Sequence, residues 1–359
     1  MLKSIALLIA SLVSLASCAQ FHPYQAAGSV IVRTQGYDSY ATDRYKPAGP
    51  LAARIVGYSL LARQAYIRSV YDTGRPVEDH YQCEGVVSSS GGMPNCTPAT
   101  VLTDEEREAR LLKEWHYVAG CDYFYIDKDH QHRVDEHGKC PKLRGSSAEG
   151  LGVQLWIHED GPVCKEAAIV FRGTVSGDVG DWESNLHWLR RELPGYDQYN
   201  QVHDYIINYL GLLDSAPCYR EGKTEIVAIG HSLGGGLAQL AAYSDNRIRH
   251  VYAIDPSMVI GTDTVAPGRL RKNSQGLHTE LIYEHGEILA YPRYLIRQFN
   301  PPTACNPRIV TERMKLLKGS PISQHSLTDF NAGLLAVSRG QKPESRPFIL
   351  QDIPPCASS

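Results

Sequence analysis

The chain has 359 residues, 43% of them hydrophobic and 21% charged, with a net charge of -3 at pH 7. That much apolar material suits one large α/β domain and excludes disorder as the main state. The pI is near 6.5, which leaves no basic excess for a phosphate backbone, so no nucleic acid is expected as a partner.

Residues 1–18 carry a cation at Lys3, an apolar run from Ile5 to Ala16, and small residues at the end. The run is too short to span a bilayer and reads as a secretion signal. Its end, Leu15-Ala16-Ser17-Cys18, resembles the bacterial lipobox, in which cleavage falls before the cysteine and the thiol receives a diacylglycerol; ordinary cleavage at Ala19 is the alternative. The lipobox makes Cys18 the lipidated N-terminus of an exported, membrane-anchored protein. Ala19 resembles an outer-membrane address, facing periplasm or cell surface. Eight other cysteines remain: Cys83, Cys96, Cys121, Cys140, Cys164, Cys218, Cys305 and Cys356. An even number in an exported chain implies up to four disulfides.

Residues 19–50 read as a tether with an edge strand at 30–33. Leu51, Ile55, Tyr58, Leu61, Ala62 and Ala65 recur at three- and four-residue steps, which predicts an amphipathic helix over 51–67 packed on a sheet. From about 70 to 149 the chain becomes turn-rich, holds four of the cysteines, and carries a capping box at Thr103-Asp104-Glu105-Glu106. It reads as an insertion outside the main core. Its segment 127–138 is rich in histidine and carboxylate but fails as a calcium loop, with His132 at the sixth position and Gly138 at the twelfth. It lacks regular zinc-ligand spacing too, so no metal is expected.

Two strand-like runs at 151–157 and 167–171 flank a polar turn, the form of a hairpin feeding a central strand. Helical spacing follows at 201–213, then strands at 226–229, 250–254 and 277–283, and a closing helix at 327–337. A polar, proline-rich tail occupies 341–359. Strands alternating with helices predict an α/β fold over 51–340, with a mostly parallel central sheet covered by helices on both faces and the disulfide-rich insertion set into it.

The most informative stretch is 226–242, IVAIGHSLGGGLAQLAA, a β-branched run, a Gly-His-Ser-Leu-Gly turn and a small-residue helix. Gly230 and Gly234 leave room for the cramped turn that lifts Ser232 clear of the sheet, the G-x-S-x-G nucleophile elbow of an α/β-hydrolase fold. A serine hydroxyl needs an imidazole to take its proton and a carboxylate to orient that imidazole, in the chain order Ser, acid, His. His325 is the base by elimination, as the only histidine downstream of Glu287. Sheet order favours Glu287 as the acid, after the second strand beyond the elbow; Asp255, after the first, and Asp263 are the alternatives. The oxyanion requires two N–H donors, assigned to Leu233 and Thr174. The mechanism needs no metal and no organic cofactor.

Three motifs, Ile169-Val170-Phe171-Arg172-Gly173-Thr174, Asp181-Trp182 with Asn185-Leu186, and Gly230-His231-Ser232-Leu233-Gly234-Gly235, resemble the class 3 lipase family, related to the fungal triacylglycerol lipases. The resemblance runs from about residue 151 to 337 and implies a Ser232-His325-Glu287 triad with Thr174 in the oxyanion hole. The family's usual acid is Asp, and the 70–149 stretch lies outside its pattern. Arg172 and Asp181 read as supports of the oxyanion loop. The family's lid follows that loop; here 176–183 is acidic with two glycines, a poor apolar cover. The expected function is hydrolysis of lipid esters, as lipase or phospholipase. The competing functions are a noncatalytic envelope lipoprotein on a hydrolase scaffold and a serine thioesterase or peptidase. In this fold the strands after Cys164 and Cys218 are parallel neighbours, which predicts a Cys164–Cys218 disulfide. Nearness in sequence then pairs Cys83 with Cys96, Cys121 with Cys140, and Cys305 with Cys356.

Overall fold

The computed structural model describes residues 25–34, 46–67, 70–71, 74, 80–84, 95–99, 112–123, 140–141, 151–159, 161–174, 198–289 and 308–344. The strands in chain order are β1 (Ser29–Thr34), β2 (Lys46–Pro47), β3 (His80–Glu84), β4 (Asn95–Ala99), β5 (Trp115–Asp122), β6 (Gly152–His158), β7 (Glu166–Phe171), β8 (Glu225–His231), β9 (Ile248–Ile254), β10 (His278–Glu284) and β11 (Arg308–Lys315). The helices are α1 (Gly49–Gln64), α2 (Gln198–Gly211), α3 (Leu233–Ser244), α4 (Pro267–Ser274) and α5 (Leu327–Ser338).

Nine strands form one sheet in the order β2-β1-β11-β10-β9-β8-β7-β6-β5. The strands β7 to β11 run parallel, and antiparallel strands extend the sheet at both ends. All five parallel strands therefore deliver their C-terminal ends to the same edge, where loops of an open α/β sheet hold ligands.

Both faces of the sheet are covered because the central strands are apolar on both sides. In β8, Ala228 points into a cluster with Val202 and Ile206 of α2 and Leu237 and Ala241 of α3. Its neighbours Val227 and Ile229 join Leu51 and Ile55 of α1 and Phe330 and Leu334 of α5 on the opposite face. This is the expected α/β-hydrolase fold.

Three local expectations change. The 70–149 stretch is not wholly outside the core, since β5 pairs antiparallel with β6 along the sheet and buries Trp115, Ala119 and Cys121. The helix α1 buries more than the expected positions, adding Val56, Ser59, Leu60 and Gln64, because α5 packs against it in the same cluster and Ser59 hydrogen-bonds Asn331. The buried stripe is thus wider than expected, with Leu51, Ile55, Leu61, Ala62 and Ala65 inside it. Finally, β1 is not the edge, because the two-residue β2 pairs beyond it.

Two of the expected disulfides are present, Cys121–Cys140 and Cys164–Cys218, the latter with Cα atoms 5.0 Å apart. The second forms where β7 and β8 enter the sheet side by side, with Cys164 N–H bonded to the Cys218 carbonyl at 3.0 Å. The β3–β4 register sets Cys83 opposite Cys96. Cys18, Cys305, Cys356, the 103–106 capping box, the 127–138 loop, Asp181 and the 176–183 segment lie outside the described residues.

Candidate active site

Ser232 occupies the turn between β8 and α3 with φ 57 and ψ -125. A positive φ is strained for a residue with a Cβ, and such strain is sustained only where the surroundings over-determine it. Here they do. A Cβ on Gly230 would collide with the Gly234 carbonyl, and one on Gly234 would strike the Phe171 carbonyl and come within 2.9 Å of the Arg172 carbonyl carbon. Both positions must therefore be glycine, and the start of α3 lies directly against the loop after β7. Ser232 N–H bonds the Ile254 carbonyl at 3.0 Å, and its own carbonyl receives Ser257 N–H at 2.9 Å. Strand β9 thus clamps the turn.

His325 ends a short 3-10 turn, Ser323–His325, and the following Ser326 caps α5 by accepting Asp329 N–H at 3.3 Å. The cap fixes where the helix starts and so where the imidazole hangs. Its Nε2 lies 3.1 Å from Ser232 Oγ and its Nδ1 lies 2.9 Å from Glu287 Oε2. The same Glu287 oxygen accepts Leu289 N–H at 2.7 Å. Both His325 and Glu287 are buried, at 3% and 1% exposure. A hydroxyl, an imidazole and a carboxylate in one hydrogen-bonded row can pass the hydroxyl proton to the ring while the carboxylate holds the ring's tautomer.

The alternative acids are placed differently. Asp263 is exposed in the 3-10 turn Thr262–Thr264. Asp255, with a positive φ of 39, uses Oδ1 to accept Glu284 N–H at 2.9 Å. An oxygen of Asp255 nevertheless lies within 4.8 Å of ring nitrogens of His231 and His325. Burial pushes the neighbouring Glu284 up to about 8, against backbone N–H groups of Leu316, Leu317 and His285 that pull it down.

Leu233 is the first residue of α3 after the Ser232 cap, so its N–H has no intrahelical carbonyl to bond. Thr174 follows β7 and Gly173, which lies so close to the elbow that an added Cβ would sit 3.3 Å from Ser232 Cβ. Arg172 is buried and bonds Asp122 of β5 at 2.8 Å, and its guanidinium carbon lies 5.9 Å from the centre of the Tyr71 ring. It ties the loop to a strand within the 70–149 stretch.

Sequence reasoning missed Tyr66, just beyond α1, whose hydroxyl lies 3.0 Å from His231 Nδ1 and accepts Gly173 N–H at 3.1 Å. Nothing local marks it, because its partner is 165 residues away.

Among the described residues two groups have metal-ligand types close together, His231-Asp255-His325 and His250-His278-Glu280. In the first, the His325 nitrogens are bonded to Ser232 and Glu287. In the second, Arg54 donates to both oxygens of Glu280, at 2.8 and 2.7 Å, and also to Glu312 at 3.1 Å. A guanidinium there makes this a buried ion-pair network. Burial opposes charge on Glu280, but the hydrogen bond from His250 and the Arg54 guanidinium hold it well below the usual carboxylate range. Burial, and then the charge of Glu280, push Glu312 up.

No family model matches the chain. No curated protein matches it by sequence. Among solved structures it is similar to lipase II from Rhizopus niveus, at 15% identity and a TM-score of 0.36 over 74% of this chain and 78% of that one. An acetyl xylan esterase from Paenibacillus sp. R4 matches at 13% identity and a TM-score of 0.30, over 77% of this chain and 94% of that one. Acetyl xylan esterase 1 from Thermoanaerobacterium sp. JW/SL YS485 matches at 11% and 0.28, over 47% and 73%.

Proposed function

We propose that the protein is a serine carboxylester hydrolase, with Ser232 as nucleophile, His325 as general base and then acid, and Glu287 as the carboxylate that orients His325. The observation that carries the reading is the His325 ring, bonded through Nδ1 to Glu287 at 2.9 Å and through Nε2 to Ser232 at 3.1 Å. In the acylation step Ser232 Oγ attacks the ester carbonyl as its proton moves to His325 Nε2. The tetrahedral oxyanion is held by the N–H groups of Leu233 and Thr174, and collapse expels the alcohol, which takes the proton from His325. Water, deprotonated by His325, then hydrolyses the acyl-Ser232 ester and releases the acid. Every proton stays between Ser232, His325, water and the two products, so no cofactor enters.

The substrate class we infer is a lipid ester, triglyceride or phospholipid, on the strength of the motif resemblance around Arg172-Gly173-Thr174 and Gly230-His231-Ser232-Leu233-Gly234. An exported protein anchored in the outer membrane through a lipidated Cys18 fits a substrate that resides in membranes. The test is a panel of mixed triglycerides, phospholipids, acyl thioesters and peptides digested by wild type beside Ser232→Ala. Free fatty acid released by wild type alone supports the reading. Cleavage confined to thioesters or peptides would replace it, and no cleavage of any substrate would leave a hydrolase-shaped scaffold.

A further inference from the structure

We propose that Tyr66 and His231 form a positioning relay that ties the loop carrying Gly173 and Thr174 to the backbone of His325, so that oxyanion donor and general base are held at a fixed separation. The proposal rests on the hydrolase reading above.

The two ends of the relay fix the direction of its outer hydrogen bonds. Gly173 N–H can only donate, and it meets Tyr66 Oη at 3.1 Å. The carbonyl of His325 can only accept, and it meets His231 Nε2 at 3.1 Å. His231 therefore carries a proton on Nε2, and in the neutral ring Nδ1 is the acceptor of the Tyr66 O–H at 3.0 Å. The row runs Gly173 N–H to Tyr66, Tyr66 O–H to His231, and His231 Nε2–H to the His325 carbonyl.

Only a neutral imidazole satisfies this order. A charged His231 would present a second N–H to Tyr66, whose oxygen already accepts from Gly173, and would turn the phenol hydrogen to its longer contact with the His231 carbonyl at 3.4 Å. Burial, and next the proximity of His325, hold His231 well below its usual value. Burial likewise pushes the Tyr66 phenol up, so it stays a donor. The His231 and His325 ring centres are 4.9 Å apart, so a neutral His231 also spares the imidazolium that forms on His325 a repulsion in a buried site. Gly173 has no slack between these parts: a Cβ there would strike Tyr66 Oη and the His231 carbonyl.

The test compares wild type with His231→Gln, His231→Phe and Tyr66→Phe on p-nitrophenyl acetate, with Tm measured for each. A Gln amide supplies one acceptor and one N–H donor, as the neutral ring does, whereas Phe keeps the ring volume and supplies neither. His231→Phe and Tyr66→Phe should lower kcat about tenfold, the worth of one to two hydrogen bonds, with KM nearly unchanged, and His231→Gln should recover most of the loss. Equal kcat in His231→Phe and wild type, or equal losses in the Gln and Phe variants, would overturn the relay. A second readout needs no turnover: 15N NMR of wild type should show His231 neutral and protonated at Nε2 near pH 7. A cationic or Nδ1-protonated ring there would overturn the relay too. If the protein hydrolyses no ester the functional reading fails, while the NMR result still decides the relay.

Discussion

Replacing Glu287 with Gln keeps the size of the side chain and removes its charge from a site where that charge lies 2.9 Å from His325 Nδ1. With an effective dielectric of about 20, a unit charge at that distance stabilises the transient imidazolium by about 6 kcal/mol, which corresponds to about four orders of magnitude in kcat. The loss should stop short of that in His325→Ala, because the Asp255 carboxylate remains within 4.8 Å of the ring. A charge at that distance supplies about 3 kcal/mol on the same scale. Adding Asp255→Asn to Glu287→Gln should then cost about a hundredfold more. The assay is kcat on p-nitrophenyl acetate at neutral pH, with circular dichroism to confirm folding. Loss of less than about tenfold in Glu287→Gln, or a larger loss in Asp255→Asn alone, would refute the assignment of the acid and the distances behind it.

Arg54→Met should destabilise the fold by about 3–5 kcal/mol at pH 7, because it strips the guanidinium from a carboxylate that stays buried. Glu280 is held below its ordinary range by His250 and Arg54, so its stabilisation is present above about pH 4.3 and is lost as pH falls through the lower folded value. The difference in denaturation midpoint between wild type and Arg54→Met should therefore shrink in acid, and a constant gap down to about pH 2 would contradict the ion-pair account. Removing the Cys164–Cys218 bridge, whose ends are 54 residues apart, should cost about 4 kcal/mol in denaturant melts run without reductant. An unchanged midpoint would argue against it. Because 176–183 is acidic and glycine-rich, short-chain esters should be cleaved below their solubility limit with no steep rise at it, and a sharp rise in a substrate titration would argue for an apolar lid.

The parts of the site that were legible in the sequence are those whose constraint is local. Gly230, Ser232 and Gly234 lie in one five-residue turn where neighbouring backbone forbids a Cβ, so the pattern itself carries the geometry. Glu287 and His325 were legible through chain order, because parallel strands deliver their loops to one edge in sequence. Cys164 and Cys218 were legible because each precedes a strand of a parallel neighbouring pair. What stayed hidden depends on contacts distant in sequence. Strand β5 joins the sheet by pairing with β6, yet its sequence is embedded in turn-rich polar chain. The wider burial of α1 is decided by α5, and Ser59 and Asn331 are 272 positions apart. Arg54 looks like a surface cation of a helix until Glu280 and Glu312 arrive from β10 and β11. Tyr66 has the same character, an ordinary tyrosine whose meaning is set by His231.

The central claim is that Ser232 is a nucleophile activated by His325, and covalent trapping tests it most directly. Wild type treated with a fluorophosphonate should gain one phosphonyl group per chain, mapped by peptide mass spectrometry to Ser232, with His325→Ala labelled at least about a thousandfold more slowly and Ser232→Ala not at all. A wild type that takes no label, a label on another residue, or undiminished labelling of His325→Ala would contradict it.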